Sequence, residues 1–437
     1  MIDRRQDTLA AENMTKEKEQ IKLKLIVMNF LQFFIWGAWL ISMGRYMGNV
    51  MQYDGQEVGG LFATAGFAAI ITPALTGIIA DRWVGAERLL SICHLLTGAC
   101  LIAVGCLPVG TPFATTWLVI FGVNLFFMPT LSLSNTVAYH ALGTVQADIV
   151  KDFPPIRVWG TIGFIVAMWL VNLFKWMDSP MQFNLGAFAA IALAIYAWTL
   201  PAVPHGVKKA QEGRRSLLSI LGLDALVLFK NRQMAVFFTF CILLGAALQV
   251  TNAYGNMYLD HFKGVTEYVD SFAVKYPNIL LSLSQISETL FILAIPFFLK
   301  RFGIKGVMTM SFAAWFLRFG LFGIGDPGMP GIIALVLSMV VYGMAFDFFN
   351  ISGSMFVDQS VSPSMRASAQ GLFLLMTNGL GVVIGSLGAG WVVEHYTTAG
   401  VTAWTTVWYI FAGYALVTGL LFWLLFHPKQ LSKAQSA

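Results

Sequence analysis

The stretch ILLSLSQISETLFILAIPFF, residues Ile279–Phe298, indicates what kind of protein this is. As an α-helix it is long enough to cross a bilayer, since about 20 residues rising ~1.5 Å each span the hydrocarbon core. One full charge, Glu288, lies near its middle. A carboxylate at that depth costs about 2.5–3.5 kcal/mol even on the most lenient insertion scale. Gln285 lies three residues earlier on the same helical face, so this face is a candidate for function.

The composition indicates a membrane protein with many spans. Of 437 residues, 57% are hydrophobic and only 11% are charged, whereas soluble domains carry about 25% charged residues. A single soluble core is therefore excluded. We find no metal-ligand cluster, nucleophile–base arrangement or phosphate-binding loop in the sequence, so we expect neither an enzyme nor a cofactor-binding protein. No cleavable signal peptide is expected, because the first apolar run is too long for one.

The cysteines are not expected to form a disulfide framework or a metal site. All lie inside apolar segments, where cysteine usually serves as a small buried hydrophobic side chain. They are Cys93, Cys100, Cys106 and Cys241.

Twelve apolar segments are predicted to be transmembrane helices, which gives an all-α polytopic membrane protein. Numbered in chain order, spans 1 to 12 are residues 25–48, 57–80, 88–107, 113–139, 156–176, 182–202, 233–258, 278–299, 306–325, 331–352, 367–393 and 404–426. Residues 1–24 are polar, mixed in charge and without apolar periodicity, so we expect a mostly disordered tail in which any helix is confined to the part near the membrane.

The basic residues predict the orientation. With the N-terminus inside, 22 of the 27 Lys and Arg residues fall on the cytoplasmic side and 4 fall outside, while Arg318 lies within span 9. The positive-inside rule therefore places both termini in the cytoplasm. This bias also explains the net charge of +5, which does not indicate nucleic-acid binding.

The chain divides into two similar halves. The predicted organisation is a cytoplasmic tail (1–24), a six-helix bundle (25–204), a cytoplasmic loop (205–232), a second six-helix bundle (233–427) and a C-terminal tail (428–437). The loop contains LLSILGLDALVLF, an amphipathic segment expected along the membrane surface. Basic motifs recur at matching places after spans 2 and 8, and Arg157 in the first half matches Arg366 in the second. Parallel halves of this kind are typical of transporters with a site between bundles.

Polar side chains inside the spans are functional candidates, because lipid offers them no partner. In span 7, Gln249 and Asn252 share a face, and Gln249 lies at a depth similar to that of Gln285. Two amides and a carboxylate would then face one another across one cavity. The alternative is that the amides only form interhelical hydrogen bonds between spans 7 and 8.

Spans 5 and 10 carry further candidates. In span 10, Tyr342 and Phe346 are four residues apart beside Asp347, and the rings are either packing or a wall for a planar ligand. Asp347 is alternatively a structural partner of Arg318. In span 5, Arg157 is the first of three candidate residues that lie along one face of the predicted helix.

The other two residues on this face of span 5 are Thr161 and Phe164. The spacing leaves open whether Arg157 binds a ligand or belongs to a cytoplasmic gate. For Arg366 we favour the gate, where it would pair with acids such as Asp81, next to Arg82, when the inner mouth is shut.

Several long segments resemble one family. They are DFPPIRVWGTIGF (Asp152–Phe164), LGLDALVLFKN (Leu221–Asn231), SQISETLFILAIPFFL (Ser284–Leu299), YGMAFDFFNISGSMFV (Tyr342–Val357) and RASAQGLFLLMTNG (Arg366–Gly379). These segments look like the bacterial nucleoside–proton symporters, a branch of the major facilitator superfamily that includes the enteric nucleoside permeases. The resemblance extends over spans 1 to 12. The loop after span 2, with Gly77, Asp81, Arg82 and Arg88, matches the superfamily motif only in part, because its last glycine is displaced.

The resemblance implies the major facilitator fold and import of nucleosides by proton symport through alternating access, in the inner membrane of a bacterium. It also implies a set of substrate-binding residues, each present here with the family's residue type: Arg157, Thr161, Phe164, Gln249, Asn252, Gln285, Glu288, Tyr342 and Phe346. Asp347 is implied in proton coupling, and Glu288 is a second candidate. The expected partners are a nucleoside, protons and the lipid bilayer, and the carrier is expected to be a monomer. Alternatives are a carrier for another polar metabolite, such as a sugar, or a non-transporting nutrient sensor.

Overall fold

The computed structural model describes residues 2–204, 223–363 and 365–427. Every predicted span is helical there, which confirms the fold class. The helices of spans 1 to 6 are Ile2–Gly37 with Leu40–Asn49, Gly55–Arg82, Ala86–Gly105, Phe113–Thr144, Ile149–Leu173 and Met181–Tyr196. Those of spans 7 to 12 are Arg232–Leu248 with Val250–His261, Pro277–Ile324 for spans 8 and 9, Gly331–Ala345 with Asp347–Ser360, Arg366–Leu374 through a π-helical turn to Val382–His395, and Trp404–Leu425.

Length and composition alone mark 10 of the described helical stretches as able to cross a membrane. One of these, Pro277–Ile324, contains both span 8 and span 9. Gly303 interrupts it with φ of 67° and ψ of 174°, a left-handed conformation that glycine adopts without strain. The remaining span, Gly55–Arg82, begins with a capping box in which Asp54 and Glu57 each bond the other's backbone N–H.

The helices group into two compact units. The first unit contains residues 1–214 together with 251–261 and 275–282, and the second contains 215–250, 262–274 and 283–437. The predicted bundle boundary lay in the loop 205–232. The C-terminal half of span 7 and the start of span 8 therefore group with the first unit rather than with the rest of their half of the chain.

Glycines bring two helices of the first unit into close contact. A β-carbon at Gly37 of span 1 would overlap the carbonyl oxygen of Phe164 in span 5, and one at Gly163 would overlap that of Phe30. Small residues at such crossings allow two backbones to approach closely. Close packing of this kind holds helices together in lipid, where the hydrophobic effect between helices contributes little.

The second unit uses the same device at the matching pair of spans. A β-carbon at Gly245 of span 7 would overlap the carbonyl oxygen of Thr377 in span 11, and one at Gly385 would overlap that of Ala246. The pairs 1–5 and 7–11 are related by a shift of six spans, as expected for a repeat.

Two expectations were wrong. Residues 15–24 are not a disordered tail, because they continue the helix of span 1 and are fixed at a distant site. Lys18 and Lys22 bind Asp152 at the start of span 5, with N···O distances of 2.9 and 2.6 Å. Cys106 is not a buried side chain either, because it caps the end of span 3 and is exposed.

Part of the predicted amphipathic segment falls outside the described residues. Its end lies in the 3-10 helix Leu223–Lys230, whereas residues 205–222 of the loop and the tail 428–437 are not described.

Candidate functional site

The first unit carries three of the predicted ligands on one helix. Arg157, Thr161 and Phe164 lie in span 5, where Phe164 is buried and the other two are half-buried. The indole of Trp36 meets the Phe164 ring edge-on, with centroids 6.3 Å apart. Phe164 is thus held by ring contact as well as by the close approach of Gly37 to its backbone.

Arg157 packs over an aromatic ring that the sequence reasoning missed. Its guanidinium carbon lies 3.9 Å from the ring centroid of Phe33 in span 1. This distance is well inside the ~6 Å limit for a cation–π interaction. A ring on another span cannot be paired with an arginine from spacing alone.

The first unit also contains Asn252, in the helix Val250–His261, where it is half-buried. One turn further on, Asn256 has a clear structural role. Its amide donates to Oδ1 of Asn278 at 2.6 Å, and the backbone N–H of Asn278 donates to Oδ1 of Asn172 at 2.9 Å. Interhelical bonding between spans 7 and 8 is therefore the role of Asn256, while the role of Asn252 stays a prediction.

The second unit contains the other predicted ligands, and two of them lie at breaks in helices. Gln249 is the C-cap of the helix that ends at Leu248, so span 7 is interrupted at this residue. Span 10 is interrupted at Phe346, and Asp347 begins the next helix. Broken membrane helices are tolerated where protein or a polar cavity satisfies the freed backbone groups, and transporters commonly bind ligands there.

Tyr342 is the common neighbour of the polar groups of the second unit. It is 6% exposed, and a side-chain hydrogen bond joins it to Gln285. Its hydroxyl interacts electrostatically with Glu288, Asp347 and Arg318. The structure thus brings three predicted site residues, Gln285, Glu288 and Asp347, together around the ring of a fourth, Tyr342.

Arg318 is the cation of this group and is held on three sides. It is 3% exposed and lies 4.1 Å from the ring centroid of Tyr342. Its Nη1 donates to Ser284 Oγ and to the Ser338 carbonyl, both at 3.2 Å. A buried cation requires compensating charge, and Glu288 interacts with it electrostatically.

The predicted gate residues lie at the ends of helices. Asp81 and Arg82 end the helix of span 2, but their side chains are not among the described parts of the structure. Arg366 begins the first helix of span 11 and is exposed. Their pairing stays a prediction.

Comparison with known proteins identifies the family. The family model described as "Nucleoside H+ symporter" matches residues 19–431. This chain belongs to that family. It is 52% identical to the xanthosine permease of Escherichia coli K12 over 93% of this chain and 96% of that one. It is 50% identical to the nucleoside permease NupG of the same organism over 94% and 97%.

Solved structures agree. A crystal structure of a point mutant of the nucleoside transporter NupG superposes with a TM-score of 0.90 at 49% identity, covering 93% of this chain and all of that one. The POT family transporter PepTSo matches with a TM-score of 0.69 at 12% identity, covering 93% of this chain and 97% of that one, which shows the fold alone. Members of this symporter family carry nucleosides with protons and are membrane transporters, so this chain is a multi-pass transporter and not an enzyme.

Proposed function

We propose that this protein imports nucleosides across the inner membrane of a bacterium and that two groups of side chains bind the nucleoside. The groups are Arg157, Thr161, Phe164 and Asn252 in the first unit, and Gln249, Gln285, Glu288, Tyr342 and Phe346 in the second. The single observation that carries this function is the identity of about half the chain, over more than 90% of its length, to a nucleoside permease.

The chemistry of these side chains suits a nucleoside. A base is flat and presents amide-like edges, so the rings of Phe164, Tyr342 and Phe346 suit its faces and amide side chains suit its edges. A ribose presents hydroxyls, and a carboxylate such as Glu288 accepts hydrogen bonds from them. Because one relative is named a xanthosine permease, we propose that purine nucleosides, including xanthosine, are among the substrates.

The proton is proposed to bind Asp347 or Glu288. Both carboxylates interact with the hydroxyl of Tyr342, and Asp347 is only 8% exposed. Carboxyl groups inside membrane spans commonly serve as proton-binding groups in transporters. We propose that protonation favours loading from outside and that release of the proton inside resets the carrier.

The remaining assignments follow the sequence. Both termini are proposed to be cytoplasmic by the positive-inside rule, and Asp81, Arg82 and Arg366 are proposed to act at the cytoplasmic gate. The carrier is proposed to work as a monomer.

Uptake of labelled uridine and xanthosine by cells that lack other nucleoside carriers tests the proposal. We expect uptake that a protonophore abolishes and that unlabelled nucleosides, but not hexoses, inhibit. Inhibition by hexoses instead would indicate a sugar carrier. Binding of a nucleoside without counterflow in vesicles would indicate a sensor. Either result would overturn the proposed function.

A further inference from the structure

The contact between Phe33 and Arg157 holds the head group of a charged side chain against an aromatic ring. Phe33 is half-buried in span 1 and Arg157 is half-buried in span 5. The guanidinium carbon lies 3.9 Å from the ring centroid, which is the separation of atoms in van der Waals contact. A free arginine side chain loses rotamer entropy when it is ordered. A ring that holds it in advance reduces the loss on ligand binding.

A cation–π contact takes up none of the hydrogen bonds that an arginine makes to oxygen or nitrogen acceptors. The five N–H groups of a guanidinium lie in its plane and point outward from its edge. A ring that holds the guanidinium carbon in place therefore also restricts where these donors lie. A lysine at the same position would lack both the plane and the fork of donors.

A glycine makes room for the pair. A β-carbon at Gly160 would lie 2.6 Å from Cδ2 of Phe33 and 2.8 Å from Nη1 of Arg157. Both distances are shorter than real β-carbon contacts, so a side chain at this position would displace the ring, the guanidinium or both. The glycine thus opens the space in which the stack forms, one turn from Gly163 and its close backbone contact with Phe30.

We propose that Phe33 is a positioning residue for nucleoside binding, which acts by holding the guanidinium of Arg157 in the orientation that binds substrate. This inference rests on the proposed role of Arg157 as a ligand. It assigns a function to a side chain of span 1, whereas the ligands predicted from the sequence come from spans 5, 7, 8 and 10.

The test measures nucleoside affinity of the purified full-length transporter by isothermal titration with uridine and xanthosine. Phe33→Leu is expected to weaken binding about 2- to 30-fold, the range that a cation–π interaction supports. Phe33→Tyr and Phe33→Trp keep an aromatic face and should stay within about 3-fold of the unsubstituted protein, which is less than 1 kcal/mol. In transport assays Phe33→Leu should raise KM more than it lowers the maximal rate.

Phe30→Leu is the matched control. It removes a ring one turn earlier on the same helix, where the ring packs on Phe34 at a centroid distance of 5.8 Å. It should leave affinity unchanged. Phe33→Met is a second aliphatic variant of similar volume, and it carries the test if Phe33→Leu does not yield folded protein.

A double-mutant cycle with Arg157→Lys shows whether Phe33 acts through the arginine. If it does, Phe33→Leu adds little to the loss already caused by Arg157→Lys. Fully additive losses would mean that the ring contacts the nucleoside directly and would overturn the proposal. Affinity of Phe33→Leu equal to that of the unsubstituted protein would also overturn it. Failure of the unsubstituted protein to bind any nucleoside would instead overturn the proposed function.

Discussion

Arg318 of span 9 stacks on Tyr342 of span 10, with its guanidinium carbon 4.1 Å from the ring centroid. Burial of this cation without an opposite charge nearby would be costly. Glu288 supplies that charge. The arginine thereby ties a predicted ligand, Tyr342, to a predicted proton-binding region. Arg318 also donates hydrogen bonds to Ser284 of span 8 and to the Ser338 carbonyl of span 10, so it links spans 8, 9 and 10.

Replacement of this cation is expected to destabilise the protein. Arg318→Met removes the buried cation that faces Glu288, and removal of one partner of a buried charge pair typically costs about 3–5 kcal/mol. Thermal unfolding in detergent should show a large drop in Tm at neutral pH. The control is Arg301→Met, at an exposed arginine two residues before the interruption at Gly303, which should change stability by less than about 0.5 kcal/mol. Equal Tm values for the two variants would refute a charge-compensating role.

A second buried arginine, in the first unit, fixes the segment 251–261. Arg45 is 2% exposed, and its Nε donates to Asp178 Oδ1 at 2.7 Å. Its Nη1 is in ion-pair contact with Asp260 Oδ1 at 3.1 Å, although not in hydrogen-bond geometry. We expect Arg45→Met to lower Tm far more than Lys175→Met, since Lys175 is exposed and exposed charges contribute about 0–1 kcal/mol. A Tm unchanged by Arg45→Met would show that the segment is held by packing alone.

The glycines at the helix crossings give a test of packing. Gly245→Ala places a methyl group against the Thr377 carbonyl, so spans 7 and 11 must separate and Tm should fall. Gly388→Ala, also in span 11, meets no atom within 4 Å. That control should keep or raise stability, because alanine is favoured over glycine in a helix by up to about 1 kcal/mol. A fall of the same size in both variants would count against close helix approach as the role of Gly245.

Two asparagines on one helix are expected to behave differently. Asn256→Leu removes a buried hydrogen bond to Asn278 and should lower Tm, because the Asn278 amide oxygen loses its donor. Asn252→Ala should weaken nucleoside binding and leave Tm nearly unchanged, since Asn252 is a proposed ligand. Titration and thermal unfolding of both variants check the distinction. The reverse pattern would exchange the two roles.

The spans could be predicted from the sequence because lipid permits only apolar helices of a minimum length. The helix breaks at Gln249 and Phe346 could not, because neither residue is a proline or glycine and no local signal marks them. The helical N-terminal tail was missed for a related reason. Its lysines bind Asp152, which follows Lys22 by 130 residues in the sequence. The local composition of the tail does not predict so distant a contact.

The candidate ligands could be predicted from polar residues in apolar spans and from the family resemblance. The side chains that hold those ligands in place could not be predicted in this way. Phe33 and Arg318 each contact a predicted ligand through an aromatic stack across two spans. Such a contact depends on how helices rotate and cross. Apolar periodicity does not specify that rotation for helices that are hydrophobic nearly all round.

The most direct test of the central claim is the proton movement that accompanies nucleoside uptake. Addition of uridine to a lightly buffered suspension of cells making this transporter should raise the external pH, because each nucleoside enters with a proton. Asp347→Asn or Glu288→Gln should abolish the pH change, and the variant at the residue that binds the proton should still exchange nucleoside across the membrane. An undiminished pH rise in both variants would contradict the account.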